Sequence, residues 1–198
     1  MKKQLYLMRH GETLFNVLGK VQGACDSPLT NKGKMQAKQA ATFFQENQIH
    51  FDHYYSSTQE RACDTLEIIT NSNHFYQRKK GLKEMNFGRF EGESSELQPK
   101  GSHNFETFYE QFGGETARDV QKRICHTLLS IMEQEDHQKV LAVSHNGACF
   151  YFLNSIWKHS DRKIPTYFPN CAIFIYTYEK DQFDLTDIID PSSKKSIL

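Results

Sequence analysis

Two histidines of this sequence stand where a predicted strand gives way to a glycine-containing turn. His10 closely follows the apolar run at residues 5–8, and His145 follows the run at residues 140–143 by one residue. In open α/β sheets, ligand-binding groups collect at the carboxyl ends of the strands. We therefore expect both imidazoles at one sheet edge, where a neutral imidazole can attack phosphorus and a protonated one can donate to oxygens that gather charge.

Two arginines are predicted at the same edge. Arg9 directly precedes His10, and Arg61 falls on the first turn of a helix predicted after the cluster at residues 56–58. The planar guanidinium fork matches phosphate oxygens in pairs. The two guanidinium and two imidazole groups thus predict a pocket for a phosphate ester. Glu84, in the segment 81–88, is the candidate general acid for the leaving oxygen.

An ordered series of motifs resembles the histidine phosphatase superfamily, the phosphoglycerate mutase-like family. The heptad at residues 7–13, LMRHGET, resembles the signature of the family, and residues 56–62 resemble its second arginine segment. The other matches, in chain order, are the first loop and helix at Asn16, 21–23, 26–30 and 33–37, the turn at 113–116, the second histidine at 145–147 and the turn at 169–172. The resemblance covers roughly residues 4–178.

The resemblance implies a role for each matched residue. It implies that His10 becomes phosphohistidine, that Arg9, Arg61 and His145 hold the phosphoryl group, and that Glu84 donates a proton and later acts as base. The residues implied to lie near the phosphate or the substrate are Asn16, Gln22, Gly23 and Asn146. No metal and no cofactor is implied, because side chains supply the positive charge that Mg²⁺ would otherwise bring.

The family divides between phosphatases, which give the phosphoryl group to water, and mutases, which return it to a substrate. The segment at residues 86–92 resembles the phosphatase type, and the chain has no tandem arginine pair to bind the second acidic group of phosphoglycerate. We predict a phosphatase acting on small phosphomonoesters. A phosphoglycerate mutase using Lys100 or Arg118 stays open, as does a noncatalytic phosphate-ester-binding module, although every expected catalytic position is filled.

Short β-type runs alternate with helical patterns along the chain, which is typical of an α/β domain with a largely parallel sheet. The resemblance implies a three-layer α/β/α sandwich with a mostly parallel central sheet. We predict one domain over residues 1–198, with a lid segment at about 85–115 that carries one short helix, and a fraying tail after Pro191. The predicted strands are 4–8, 51–55, 140–144, 171–178 and 183–189. The predicted helices are 30–46, 116–133 and 148–157, together with one that begins after the capping cluster 56–58 and ends near residue 69.

Composition narrows the class of protein further. The 198 residues are 38% hydrophobic and carry 24 basic and 24 acidic side chains, so no nucleic acid or membrane surface is implied as a partner. No apolar run approaches the roughly 20 residues of a spanning helix, and the start does not resemble a secretory signal, so we expect a cytoplasmic protein. Five scattered cysteines predict reduced thiols, and the pair His50 and His53 is not expected to hold a metal. The oligomeric state stays open.

Overall fold

A seven-stranded sheet forms the centre of the computed structural model, which describes residues 2–157, 165 and 167–198. The strands are β1 (Lys3–Arg9), β2 (His53–Ser56), β3 (Gln77–Arg78), β4 (Lys139–Ser144), β5 (Ile173–Glu179), β6 (Gln182–Asp190) and β7 (Lys195–Ser196). Their order across the sheet is β3-β2-β4-β1-β5-β6-β7. Strands β3, β2, β4 and β1 pair in parallel, whereas the pairings from β1 through β5 and β6 to β7 are antiparallel.

The predicted sandwich is confirmed, and its sheet is mixed, with one parallel half and one antiparallel half. The antiparallel half arises from the hairpin of β5 and β6, whose two connecting residues, Lys180 and Asp181, have φ angles of 51° and 59°. Two-residue loops with positive φ match the twist of paired antiparallel strands. The site lies at the edge that the parallel half creates.

Five α-helices accompany the sheet in the part of the chain that the structure describes: α1 (Leu14–Val17), α2 (Asn31–Glu46), α3 (Glu60–Thr70), α4 (Ala117–Met132) and α5 (Asn146–Ile156). Side chains of β1 alternate between two cores, since Leu5 and Leu7 pack with residues of α4 and α5, whereas Tyr6 and Met8 pack with residues of α2 and α3. None of these helices combines the length and the hydropathy that crossing a lipid bilayer requires.

The register of the parallel strands brings three chain segments level with one another. Arg9, the last residue of β1, lies opposite Ser144, the last residue of β4. Ser56, the last residue of β2, lies opposite Val143. The segments that follow these residues therefore leave the sheet at a common edge, as the sequence predicted.

The lid segment differs from its prediction. It contains four 3₁₀ turns, at residues 88–90, 95–97, 102–105 and 110–112, in place of one short helix. Aromatic rings pack among themselves there, and Phe90 contacts Phe108, Tyr109 and Phe112 at centroid distances of 5.4, 5.6 and 4.9 Å. Side-chain packing in this segment thus replaces the regular hydrogen bonding that a helix would need.

Two further local predictions are wrong. The N-cap residue of α3 is Gln59, outside the predicted cluster, and its side chain makes no cap; the Ser57 hydroxyl accepts from the amide of Gln59 at 3.1 Å and lies 2.7 Å from Nε2 of His145. The tail after Pro191 does not fray throughout, since β7 pairs with the end of β6. In both places a tertiary partner decided the conformation, and such partners are not visible in a local sequence pattern.

Candidate active site

His10 directly follows the end of β1, with a nucleophilic nitrogen available. Its Nδ1 lies 2.7 Å from the carbonyl oxygen of Gly11. Since a carbonyl oxygen only accepts hydrogen bonds, Nδ1 carries the hydrogen, and Nε2 carries the lone pair. Burial, reinforced by the positive charges of Arg61 and Arg9, holds the pKa of His10 well below its ordinary value. The side chain is therefore a neutral imidazole at neutral pH.

Arg61 approaches that lone pair directly. Its fully buried guanidinium donates from Nε to Nε2 of His10 at 3.3 Å. Nη1 donates to the carbonyl of Cys25 and to the carboxylate of Asp26, both at 2.9 Å, and Nη2 donates to the carbonyl of Gly23 at 2.9 Å. These bonds use four of the five N–H groups of an arginine and fix the plane of the fork.

His145 stands on the other side of His10, with ring centroids 5.2 Å apart. Its Nε2 bonds Ser57, and its Nδ1 is buried without a hydrogen-bond partner among the described residues. Burial, with Arg61 as the next contribution, holds the pKa of His145 well below its ordinary value. The expected protonated histidine is thus corrected to a neutral one, which still has one N–H to donate when Ser57 donates to Nε2.

Glu84 is anchored by the first turn of α5. Its Oε1 accepts from the backbone N–H of Met85 at 2.9 Å and of Ala148 at 3.1 Å, while Oε2 accepts from Gly147 at 2.9 Å. These three backbone amides fix the direction of the Glu84 carboxyl group. A Cβ at Gly147 would lie 2.6 Å from Oε1 of Glu84 and would displace this carboxyl group.

Two residues that the sequence analysis did not select hold the backbone of Glu84. The Gln59 side chain accepts from the amide of Glu84 at 2.9 Å, and Nη2 of Arg123 donates to its carbonyl at 2.9 Å. Arg123 is itself paired with Glu115 at 2.7 Å. Their signal in sequence is weak, since a helical arginine and a glutamine after a serine cluster are common on protein surfaces.

Gln22 presents an amide nitrogen whose orientation is determined by its neighbours. Its Oε1 accepts from the hydroxyls of Thr13 at 3.0 Å and Ser27 at 2.6 Å. The Thr13 hydroxyl accepts a hydrogen bond from the amide of Asn16, and the Ser27 hydroxyl accepts one from the amide of Phe15. The hydrogens of both hydroxyls are therefore directed to Gln22. Nε2 is consequently a donor, and it is buried with no partner in the described part of the chain.

The side chain of Glu91 holds the loop that contains Gly23. The Glu91 carboxylate accepts from the backbone amides of Gly23, Ala24, Cys25 and Phe87 at 2.7 to 3.0 Å. Burial alone would raise the pKa of Glu91, but hydrogen bonds from Cys25, Phe87 and Ala24 outweigh it and lower that pKa. A Cβ on Gly23 would lie 2.0 Å from the carbonyl oxygen of Met85, so only glycine fits.

A cavity of about 560 Å³ opens beside His10. Its size suits a small metabolite. Its lining includes the aromatic side chains of Phe87, Phe105, Phe150 and Tyr151, and Lys20 contributes a cation that the sequence analysis did not select. The polar groups that line it include Arg9, His10, Asn16, Gln22, Glu84, Asn146 and Gln98.

The structure brings the selected residues together. Arg9, His10, Asn16, Gln22, Glu84 and Asn146 line the cavity, while Arg61, His145 and Gly23 border His10 or its neighbours through the contacts above. The suggested carboxylate ligands of a mutase are placed differently. Arg118 lines an adjoining cleft of about 500 Å³ that shares Phe150 and Tyr151 with the cavity, and neither Arg118 nor Lys100 is among the described residues that line the cavity itself.

Two guanidinium groups and two imidazoles at the edge of an α/β sandwich define a phosphoryl-binding enzyme of the α/β class. Comparison with known proteins agrees with this class. The sequence matches the Histidine phosphatase superfamily (branch 1) over residues 5–191, and the chain belongs to that family. The predicted family is confirmed.

The relatives include both mutases and phosphatases. The chain is 29% identical to Probable phosphoglycerate mutase GpmB of Escherichia fergusonii over 91% of its own length and 87% of that protein. The solved phosphoglycerate mutase of Bacillus anthracis has a TM-score of 0.81 and 25% identity, covering 93% of this chain and 92% of that one. A phosphoserine phosphatase mutant of Entamoeba histolytica, solved with phosphoserine, has a TM-score of 0.75 and 25% identity, covering 94% and 96%.

Proposed function

We propose that this protein is a metal-independent phosphatase that hydrolyses small phosphomonoesters through a phosphohistidine at His10. The observation that carries the proposal is a set of buried nitrogens without partners in the described residues: Nε of Arg9, Nε2 of Gln22, and Nδ1 of His145, which is a donor when Ser57 donates to Nε2 of that ring. Buried polar groups are nearly always hydrogen-bonded. An anion with several oxygens next to Nε2 of His10 would satisfy all three.

In the first step, Nε2 of His10 attacks phosphorus and the bond from phosphorus to the ester oxygen breaks. The Nε–H of Arg61, which donates to the lone pair of His10, then donates to a phosphoryl oxygen instead. Together with the remaining N–H on Nη2 it forms the side-on pair of donors that binds two oxygens at once. The oxygens that gain charge are thereby stabilised without a metal.

Glu84 supplies the proton that the leaving alkoxide needs. Of the four lone-pair positions of a carboxylate, Oε1 uses two and Oε2 uses one for backbone amides. Oε2 therefore keeps one position for a proton, in a side chain whose direction is fixed. In the second step the ionised Glu84 takes a proton from water, the water oxygen bonds to phosphorus, and the bond to His10 breaks to release inorganic phosphate.

The cavity favours a substrate with a small organic part that is partly apolar. The aromatic side chains of Phe87, Phe105, Phe150 and Tyr151 would contact that part, and Lys20 would pair with a single further anionic group. A mutase is the second candidate, because relatives and solved neighbours are named phosphoglycerate mutases. We place the activity in the cytoplasm, with a phosphorylated metabolite as the partner.

A panel of sugar phosphates, phosphoserine, phosphoglycerates, nucleotides and aryl phosphates would test the proposal by release of inorganic phosphate. Catalytic release from at least one ester, lost in His10→Gln, is the expected result. Tenfold faster isomerisation of 3-phosphoglycerate than phosphate release from any ester would instead establish the mutase. Tight binding of esters with no turnover would establish a binding module.

A further inference from the structure

A cluster of histidine and aspartate lies away from the active site. Nε2 of His53 is 3.3 Å from Oδ2 of Asp136, and Nδ1 of His137 is 2.8 Å from Oδ1 of the same carboxylate. One ligand atom from each of the three residues falls within 4.8 Å of the other two. We propose that His53, Asp136 and His137 form a binding site for a transition-metal cation of the Zn²⁺ type.

The partners of the outer ring nitrogens support this assignment. Nδ1 of His53 lies 3.0 Å from Oδ1 of Asp52, whose other oxygen accepts backbone amides from Gln138 and Lys139 at 3.0 and 2.7 Å. Nε2 of His137 lies 2.7 Å from the hydroxyl of Tyr55. Metal-binding histidines are typically oriented in this way, with the second nitrogen hydrogen-bonded to a carboxylate or another polar group.

The ligand types also select the class of cation. Two imidazoles and one carboxylate suit Zn²⁺, Co²⁺ or Cu²⁺ rather than Mg²⁺ or Ca²⁺, which prefer oxygen ligands throughout. Access is available, because His53, Asp136 and His137 line a cleft of about 580 Å³ that also contains His126 and Gln134. Water from the cleft would complete a tetrahedral set.

Metal binding requires one local movement. The rings of His53 and His137 are stacked, with centroids 3.6 Å apart and planes at 9°, so an ion cannot lie in the plane of both. The His53 side chain is 30% exposed and that of His137 is 5% exposed, so His53 is the ring that tilts toward the ion. The tilt breaks the stack and leaves the backbone in place.

The position of the cluster indicates what the cation would do. His53 begins β2, and Asp136 and His137 precede β4, so the ion would link the N-terminal ends of two neighbouring strands. The active site lies at the C-terminal ends of these strands. Ser57, which contacts His145, follows His53 by four residues, so roughly 13 Å of extended chain separates the two sites. We therefore expect Zn²⁺ to raise thermal stability and to leave phosphatase turnover unchanged.

Calorimetric titration of the reduced full-length chain with Zn²⁺ tests the site. We expect one cation per chain with a dissociation constant at or below about 10 µM. Asp136→Asn and His53→Gln should each weaken binding by at least about 100-fold, and Tyr55→Phe by about 10–100-fold. His50→Gln, which removes an exposed histidine of the same segment, is the matched control and should bind as the unmodified chain does.

Three readouts separate this cluster from the thiols and the catalytic histidines. Co²⁺ should give a spectrum without thiolate charge-transfer bands, His10→Gln should keep the affinity, and Zn²⁺ should raise the Tm of the unmodified chain but not of Asp136→Asn. The proposal is overturned if no binding occurs, if Asp136→Asn and His53→Gln bind normally, or if His10→Gln abolishes binding.

Discussion

The Nε–H of Arg61 donates a hydrogen bond to Nε2 of His10 at 3.3 Å. A buried cation therefore contacts the lone pair of the proposed nucleophile. Burial, followed by the positive charge of Arg61, lowers the pKa of His10 and keeps the ring neutral, and the hydrogen bond aligns it. An incoming phosphoryl group must replace this contact. The same guanidinium would then orient the nucleophile and stabilise the transition state.

Arg61→Lys tests whether catalysis depends on the planar donor geometry of the guanidinium rather than on its charge alone. An ammonium keeps one positive charge but cannot present two parallel donors, so kcat/KM should fall by about 10²–10³-fold, the range for losing a charge-stabilising donor. Arg78→Lys, at a surface arginine paired with Glu60, is the control and should change little. Circular dichroism must show that the Arg61 variant is folded. Unaltered activity in a folded Arg61→Lys variant would contradict a catalytic role for the paired guanidinium donors.

Glu84→Gln should reveal proton donation through its dependence on the leaving group. Single-turnover phosphorylation should slow by about 10²–10⁴-fold with an alkyl phosphate, the usual range for a general acid. With p-nitrophenyl phosphate the loss should be much smaller, since that leaving group departs without a proton. Glu96→Gln, an exposed carboxylate of the lid segment, serves as control. Equal losses on both substrates would assign Glu84 a purely structural role.

Stability should fall as the pH is lowered through about 6.5, because His10 and His145 have lowered pKa values in the folded chain. Below the unfolded pKa of about 6.5, the unfolded chain binds protons that the folded chain excludes, which costs up to about 1.4 kcal/mol per pH unit for each histidine. Urea unfolding should show a shallower pH slope in His10→Gln than in the unmodified chain. His50→Gln should keep the full slope. Identical slopes in all three proteins would contradict the buried neutral imidazoles.

Chelation should leave turnover intact. Arg9, Arg61 and His145 stand where a two-metal hydrolase would hold carboxylates, so dialysis against EDTA should not lower kcat, and vanadate should inhibit as an analogue of five-coordinate phosphorus. Zn²⁺ removed from the His53 cluster would change the Tm and not the rate. Activity that EDTA abolishes and Mg²⁺ restores would refute metal independence.

Much of the fold was predictable because hydrophobic periodicity follows burial. The spacing of four buried residues in α4 gives the helix one apolar face, on which Ile124, Leu128 and Ile131 belong to the core beside the sheet and Val120 packs with the lid segment. The lid segment was not predictable, because its aromatic rings stabilise one another across 3₁₀ turns without a helical or strand period.

The candidate site was predictable where a residue type and a strand end coincide, as for His10, Arg9 and His145. Glu91, Gln59 and Arg123 were missed because they act through backbone groups distant in sequence, including the amides of Gly23 and Glu84. The His53 cluster was missed for a similar reason. His53 meets Asp136 and His137 only after β2 and β4 pair, whereas a sequence search looks for ligands nearby in the chain.

Trapping the phosphoenzyme tests the central claim most directly. The chain is mixed with an ester labelled in its phosphoryl group, quenched within one turnover, and digested for peptide mapping. We predict label that is stable to base and labile to acid on the peptide containing His10, none in His10→Gln, and retained labelling in His50→Gln. Label on a serine or a carboxylate, or phosphate release at the full rate by His10→Gln, would contradict the phosphohistidine mechanism.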